Sequence, residues 1–301
     1  MDFEKENVKE KQEYGKNVKI KIKFIRHGEK DKDGNLLDYG REITRKRVED
    51  SDIEKGQYDA VKAIGSGAGP KVEIPIKTTK ENETFQMARS TETAHIYAQE
   101  IEGDDQFQTR INNILSYETL KNPTPHDHKA VYNSYLPDNF NELSPKEKSI
   151  FAKKAQTATI NHLLSLSSPE AENHKKEVAG SFSYVIEHYK KMSQKLKSKS
   201  KVLIPAGTHG GLMEFLLQQA LVRFDEQEKK IIGFQDINEI GGEFDPSETY
   251  DVDISTDANG ISEKLKVNFD RPDRPQGEMY LDLNKIKELA KYYEDLHFKK
   301  E

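Results

Sequence analysis

The chain has no cysteine and no tryptophan among its 301 residues. Without cysteine there is no disulfide framework, no thiolate nucleophile and no cysteine-ligated zinc. That usage fits a reducing compartment, and a cytoplasmic location is expected. Apolar residues are also scarce, 34% against 33% charged, so a core requires strongly sided elements wrapped in polar loops. No window approaches 18 consecutive apolar residues, and no membrane span or membrane partner is expected. The first 17 residues, "MDFEKENVKEKQEYGKN", lack the apolar stretch of a secretory signal and read as a flexible charged leader. A formal net charge of −6 argues against a nucleic-acid partner, which needs a basic face, while leaving room for a local basic pocket. Nothing in the sequence speaks to oligomeric state.

What remains alternates strands with helices. "VKIKIKFI" (18–25) interleaves apolar residues with lysine and then turns apolar on both sides, as a strand with a buried end does. A helix is expected near 40–50, a short strand at 59–67 and an extended piece at 71–79. Met87, Thr91, Ala94, Ala98 and Ile101 fall at three- and four-residue steps, predicting a helix over 83–101. Residues 107–117 read as extended, and 121–143, rich in Pro, Asn, Asp and His, as a long loop. "SPKE" (144–147) and "SPEA" (168–171) each offer Ser as N-cap and Pro at the first helical position, and the first completes a capping box. "KVLIPAGTHGG" (201–211) is a strand running into a glycine turn, with a helix beyond it over 212–222. A β-hairpin is expected around "DANG" and a last helix at 283–298. This order predicts an α/β fold, a three-layer α/β/α sandwich with a largely parallel central sheet. Residues 18–301 form one domain, with a helical cap inserted at about 119–200.

Two strand ends share a peculiarity: "IRHGE" and "GTHGG" both place a histidine before a glycine. Ligands of open α/β sheets bind at the carboxyl ends of strands, so His27 and His209 can face one pocket. "ARSTETA" (88–94) adds Arg89 near a helix start, where backbone N–H groups favour anions.

These segments together resemble the histidine phosphatases, the phosphoglycerate mutase-like superfamily. Arg26-His27-Gly28 is similar to the signature that holds the family's nucleophile, and "LLDYGREI" (36–43) to the segment that follows it. "AIGSG", "ARSTETA" and "THGG" resemble three further family segments in family order, from about Val18 to Val222. The resemblance implies a phosphatase of the mutase-like branch that works without metal or cofactor on a small phosphorylated substrate or a phosphoprotein. His27 would be the phospho-accepting nucleophile, Arg26 and Arg89 would grip the phosphoryl oxygens, and His209 would complete the clamp. Gly28, Gly210 and Gly211 would let backbone approach the anion. Glu118, in "LSYET", stands where the family often has its proton donor, with Glu29 as rival.

The chemistry suits these residue types. Arginine's fork matches phosphate geometry, and attack at phosphorus needs an imidazole nitrogen without a proton. Neighbouring guanidiniums disfavour the imidazolium and lower its pKa. The chain also departs from the family. Ser66 and Arg89 are 23 positions apart (89 − 66), so a loop or hairpin is inserted at 67–85. The absence of tryptophan speaks against mutase activity, and Gly210 stands where the acid-phosphatase branch has an aspartate. A non-catalytic phospho-ligand binder is the alternative, and a mutase-type phosphotransferase a weaker one. "PHDHK" (125–129) reads as a substrate-contacting or exposed loop before a metal site. Asp251 and Asp253 read as solvated, and His162, His174 and His188 as surface or packing histidines.

Overall fold

The computed structural model describes residues 13–67, 69–77, 82–103, 107–115, 128–225 and 227–298. It is a mixed α/β protein built on a nine-stranded sheet and a separate two-stranded hairpin. Strand β1 (Lys19–Arg26) runs parallel to β6 (Lys201–Thr208), β6 to β2 (Ala60–Gly65), and β2 to β5 (Phe107–Ile111). On the other side of β1 the sheet continues through β9 (Thr249–Thr256), β10 (Ser262–Phe269), β11 (Tyr280–Leu281), β7 (Leu221–Phe224) and β8 (Lys230–Ile232). Every pairing in that second half is antiparallel. Followed through the pairings, β1, β2, β5, β6, β7 and β10 run one way and three strands run against them. The expected parallel arrangement therefore holds for the block of four strands that carries both His-Gly ends. The connections β9–β10, β10–β11 and β7–β8 are too short for parallel crossovers, so these pairs are antiparallel.

The alternation in β1 decides what lies on each side. Ile20, Ile22 and Phe24 belong to one core cluster, which they share with Phe182 and Ile186 of helix α5 (Pro169–Ser193). Ile25, Val61 and Leu203 belong to a second cluster with Ala94, Tyr97 and Ala98 of helix α2 (Arg89–Glu102). The lysines between them are not simply exposed. Register sets Lys23 opposite Asp251, whose carboxylate lies 2.6 Å from the Lys23 ammonium and 2.9 Å from that of Lys21. Asp251 is thus buried rather than solvated, because its partners come from a strand more than 200 residues earlier.

Helix α1 (Asp38–Glu49) follows β1, and both Ser-Pro helix starts are formed. Ser144 and Glu147 make the reciprocal capping box of α4 (Pro145–Ser165), and the Ser168 hydroxyl accepts from the Ala171 N–H at the head of α5. The 83–101 segment departs from expectation. Its first part is strand β4 (Asn82–Ala88), paired with β3 (Lys71–Lys77), and the helix begins only at Arg89. "NETFQM" offers a strand as good a period as a helix, and the β-rich "KVEIPI" beside it decides the matter. Within the 67–85 insertion, residues 71–77 and 82–85 belong to this hairpin. Within the expected loop, α3 (His128–Ser134) is helical and packs on α4. Of the segment expected as a cap, α5 packs on α6 (Met213–Ala220), on α7 (Leu283–His297) and on the sheet.

Candidate active site

His27 and His209 extend the neighbouring parallel strands β1 and β6 by one residue, since Arg26 pairs with Thr208. The His27 N–H donates to the Thr208 carbonyl at 2.9 Å. The two imidazoles, 182 positions apart in sequence (209 − 27), consequently stand edge to face with centroids 5.2 Å apart. Both are buried, 9% and 7% exposed, and so retain a small opening to a ligand.

Helix α2 delivers Arg89 to the same place because glycines allow it to dock. A Cβ on Gly207 would lie 1.8 Å from the Ser90 carbonyl oxygen, and one on Gly65 would lie 2.4 Å from the Thr91 Cα. Only bare backbone at the ends of β2 and β6 admits the helix start this closely. Two hydroxyls then pin it, Ser90 and Thr91 both donating to the Ser66 carbonyl at 2.8 Å. Arg89 Nη2 comes 3.4 Å from His209 Nδ1, and its Nη1 donates to the Gly34 carbonyl at 3.2 Å. Arg26 Nη1 donates to the Phe244 carbonyl, and Gly210 packs on its Nε, 2.6 Å from where a Cβ would stand. Among the described residues neither Nε, of Arg26 or of Arg89, has an acceptor.

The tautomers follow from what each partner can do. Gly28 O only accepts, so its 2.8 Å contact fixes a proton on His27 Nδ1 and leaves Nε2 with its lone pair. Arg89 only donates, so His209 Nδ1 is the acceptor and Nε2–H points at the Ser66 hydroxyl, 3.3 Å away. Burial pushes both imidazoles toward the neutral form. For His27 the pKa falls well below the usual range, chiefly through desolvation and then through His209 and Arg89. For His209, burial, Arg89 and Lys30 bring it down to about 3. Lys30 adds further positive charge, its own pKa lowered by burial and by both arginines.

The structure thus brings together His27, His209, Arg26, Arg89, Gly28 and Gly210. Glu29 is exposed. Glu118 lies outside the described residues, as do residues 125–127 of "PHDHK". Among the described residues no cluster of acidic and histidine side chains could hold a metal. Sequence reasoning missed three contributors. Lys30 is three places beyond the nucleophile candidate and carried a readable signal. Thr93, whose hydroxyl accepts from the Gly28 N–H at 3.1 Å, and buried Glu243, 3.9 Å from Arg26, carried none.

A cleft of about 230 Å³ opens beside Gly210 and Gly211, between Tyr132 of α3, Thr159 and Ile160 of α4, and His174 of α5. The His174 ring meets Phe215 edge-on, so this histidine has packing and a cleft wall to serve. A larger concavity of about 710 Å³ lies at the start of β1 and β6, lined by Lys19, Lys21 and Lys201, at the opposite end of the strands from both site histidines.

No protein-family model and no curated protein matches the chain. Among solved structures, a mycobacterial glucosyl-3-phosphoglycerate phosphatase aligns at 11% identity over 85% of this chain and 100% of its own, with a TM-score of 0.42. A structure titled mycobacterial hydrolase 2 aligns at 11% identity over 91% of this chain and 97% of its own, with a TM-score of 0.34. Likeness at that level carries no argument about family or chemistry.

Proposed function

We propose that the chain is a phosphatase of the histidine type, hydrolysing a phosphomonoester through a phosphohistidine on His27 without metal. The observation that carries this reading is the pairing of a deprotonated, oriented His27 Nε2 with two guanidinium donors, Arg26 Nε and Arg89 Nε, that have no acceptor among the described residues. Buried donors without partners are costly, and a phosphoryl group supplies the missing acceptors.

In the first step the Nε2 lone pair forms a bond to phosphorus while the bond to the leaving oxygen breaks, and a carboxylic acid protonates that oxygen. Arg26, Arg89 and Lys30 stabilise the charge spread over the equatorial oxygens. Among the described residues the His209 ring makes long hydrogen-bond contacts, 3.3 and 3.4 Å, which a bound dianion can replace. The dianion also favours the imidazolium, turning His209 into a further donor. Water then displaces His27, the P–N electron pair returns to Nε2 and inorganic phosphate leaves. Helices α3 and α4 cover the leaving-group side, and the cleft they form with Gly210 and Gly211 is where substrate choice is made. Helix α5 in one core cluster and α2 in the other support a three-layer reading of the fold.

Rapid-quench mixing with an alkyl phosphomonoester labelled at phosphorus tests the proposal. Wild-type protein is expected to acquire acid-labile, base-stable label and to lose it with release of phosphate in the presence of EDTA; His27→Ala should acquire none. Binding of phosphate without label would favour a non-catalytic binder, and transfer of label to a second alcohol would favour a phosphotransferase. Undiminished hydrolysis in His27→Ala would exclude the nucleophile.

A further inference from the structure

A buried carboxyl that the clamp does not use stands behind one of its guanidiniums. Glu243 lies between a short 3-10 turn (Ile237–Ile240) and β9, and is 4% exposed. Its Oε2 is 3.9 Å from Arg26 Nη1 and has no hydrogen-bond partner among the described residues. The backbone around it is fixed from two sides. Arg274 donates to the carbonyls of Ile240, Gly242 and Glu243 at 2.6, 2.9 and 2.8 Å, while Arg26 donates to that of Phe244. The same Arg26 has its Nε against Gly210, which lines the cleft. The pKa of Tyr132, which lines that cleft, is raised by burial first and then by Glu243 when ionised. The carboxyl therefore stands beside the arginine proposed to hold the phosphoryl group, and that arginine meets the cleft proposed for the leaving group at Gly210.

A carboxylate retained merely to neutralise Arg26 would be expected to make the short forked contact that such pairs favour. Glu243 does not make it. Burial, with the carboxylates of Glu214 on α6 and Asp245 on the same loop, favours its neutral form over the opposing pull of Arg26 and of Lys153 on α4, and the pKa is pushed up to about 8. A phosphate dianion beside it acts in the same direction. At neutral pH such a group has a proton to give.

We propose that Glu243 is the proton donor to the leaving-group oxygen, in the place that the sequence resemblance gives to Glu118. The proposal rests on the phosphohistidine reading above. As the bond from His27 Nε2 to phosphorus forms and the ester P–O bond breaks, the Glu243 proton passes to the departing oxygen, giving an alcohol and a carboxylate now paired with Arg26. In the second half that carboxylate takes a proton from the attacking water, restoring the acid as the P–N bond breaks.

The test compares Glu243→Gln with wild type on two esters, an alkyl phosphate whose alkoxide needs a proton and dinitrophenyl phosphate whose phenolate does not. Gln has the shape and charge of the protonated acid, so the variant is expected to fold, which circular dichroism and melting verify. Expected is a fall in kcat/KM of about 10²–10⁴-fold on the alkyl ester, less than about tenfold on the activated one, and loss of the alkaline fall in activity near pH 8. Equal losses on both esters would make Glu243 a positioning residue for Arg26 and overturn the proposal. So would an unaffected variant alongside a Glu118→Gln variant that shows the leaving-group-dependent loss. Wild-type protein that hydrolyses neither ester and takes up no label would instead remove the phosphatase reading beneath it.

Discussion

The Gly28 N–H donates to the Thr93 hydroxyl at 3.1 Å, and that hydroxyl donates in turn to the Arg89 carbonyl at 2.8 Å. One side chain thus ties the turn that carries His27 to the helix start that carries Arg89. Removing it leaves a buried N–H without a partner, a loss of about 1–3 kcal/mol. Thr93→Val, nearly isosteric, is expected to lower stability by that amount in urea titration. Under the proposed function it should also reduce kcat more than it raises KM, because the distance between His27 and Arg89 is what loosens.

Gly207 makes a sharper prediction. With its notional Cβ 1.8 Å from the Ser90 carbonyl oxygen, no rotamer change can relieve the clash, and helix α2 must retreat from β6. Gly207→Ala is expected to cost at least the ~1–3 kcal/mol typical of overpacking. Arg89 moves away from His209 with the helix, so affinity for inorganic phosphate, read by calorimetry, should fall at least tenfold. Retained affinity in a folded variant would show that Arg89 is not part of the grip.

How far the site could be read from sequence follows from where each contact partner sits. His27 and His209 were legible because an apolar run ending in His-Gly marks a strand end, and two such ends in a parallel sheet meet. The caps at Ser144 and Ser168 were legible because their partners lie within three residues. Asp251 was not, since the lysines that make its burial tolerable stand on β1. Nor was β4, whose pairing with β3 rather than its own periodicity decides its state. Glu243 belongs to a glycine-containing loop with no period at all, and only the fold places it against Arg26.

Acid sensitivity follows from the two site histidines. Both are held neutral in the native state, whereas in the unfolded chain they bind protons below about pH 6.5. Between that pH and about 3, the unfolded state carries more protons, so native stability falls as pH falls. Denaturant midpoints measured across this window should decline in wild type and decline less steeply in His209→Gln, which removes one of the two protons. Glu243 works the other way. Its raised pKa, about 8 against an ordinary 4.5, makes stability fall as pH rises through the interval between those values. The Gln variant should flatten that limb.

Arg274 is a fully buried guanidinium, paired with Glu248, which is buried too, and stacked 4.0 Å over the Phe244 ring. Its remaining donors reach three carbonyls between Ile240 and Glu243. A lysine has one ammonium for all of these, and cannot reproduce the fork or the stacking. Arg274→Met removes the cation and leaves buried Glu248 with Arg271, 3.2 Å from its other oxygen, as the guanidinium that remains to it, for which a loss of up to about 3–5 kcal/mol is expected. Adding Glu248→Gln should return part of that loss, because the buried carboxylate no longer needs the cation that Arg274 supplied. Chemical unfolding of the two single variants and the double variant measures the coupling. A fully additive result would mean that Arg274 contributes through backbone bonds and ring contact alone. Activity then provides an independent reading: the 243–244 segment positions Arg26, so the double variant, even if its stability recovers, should keep a raised KM.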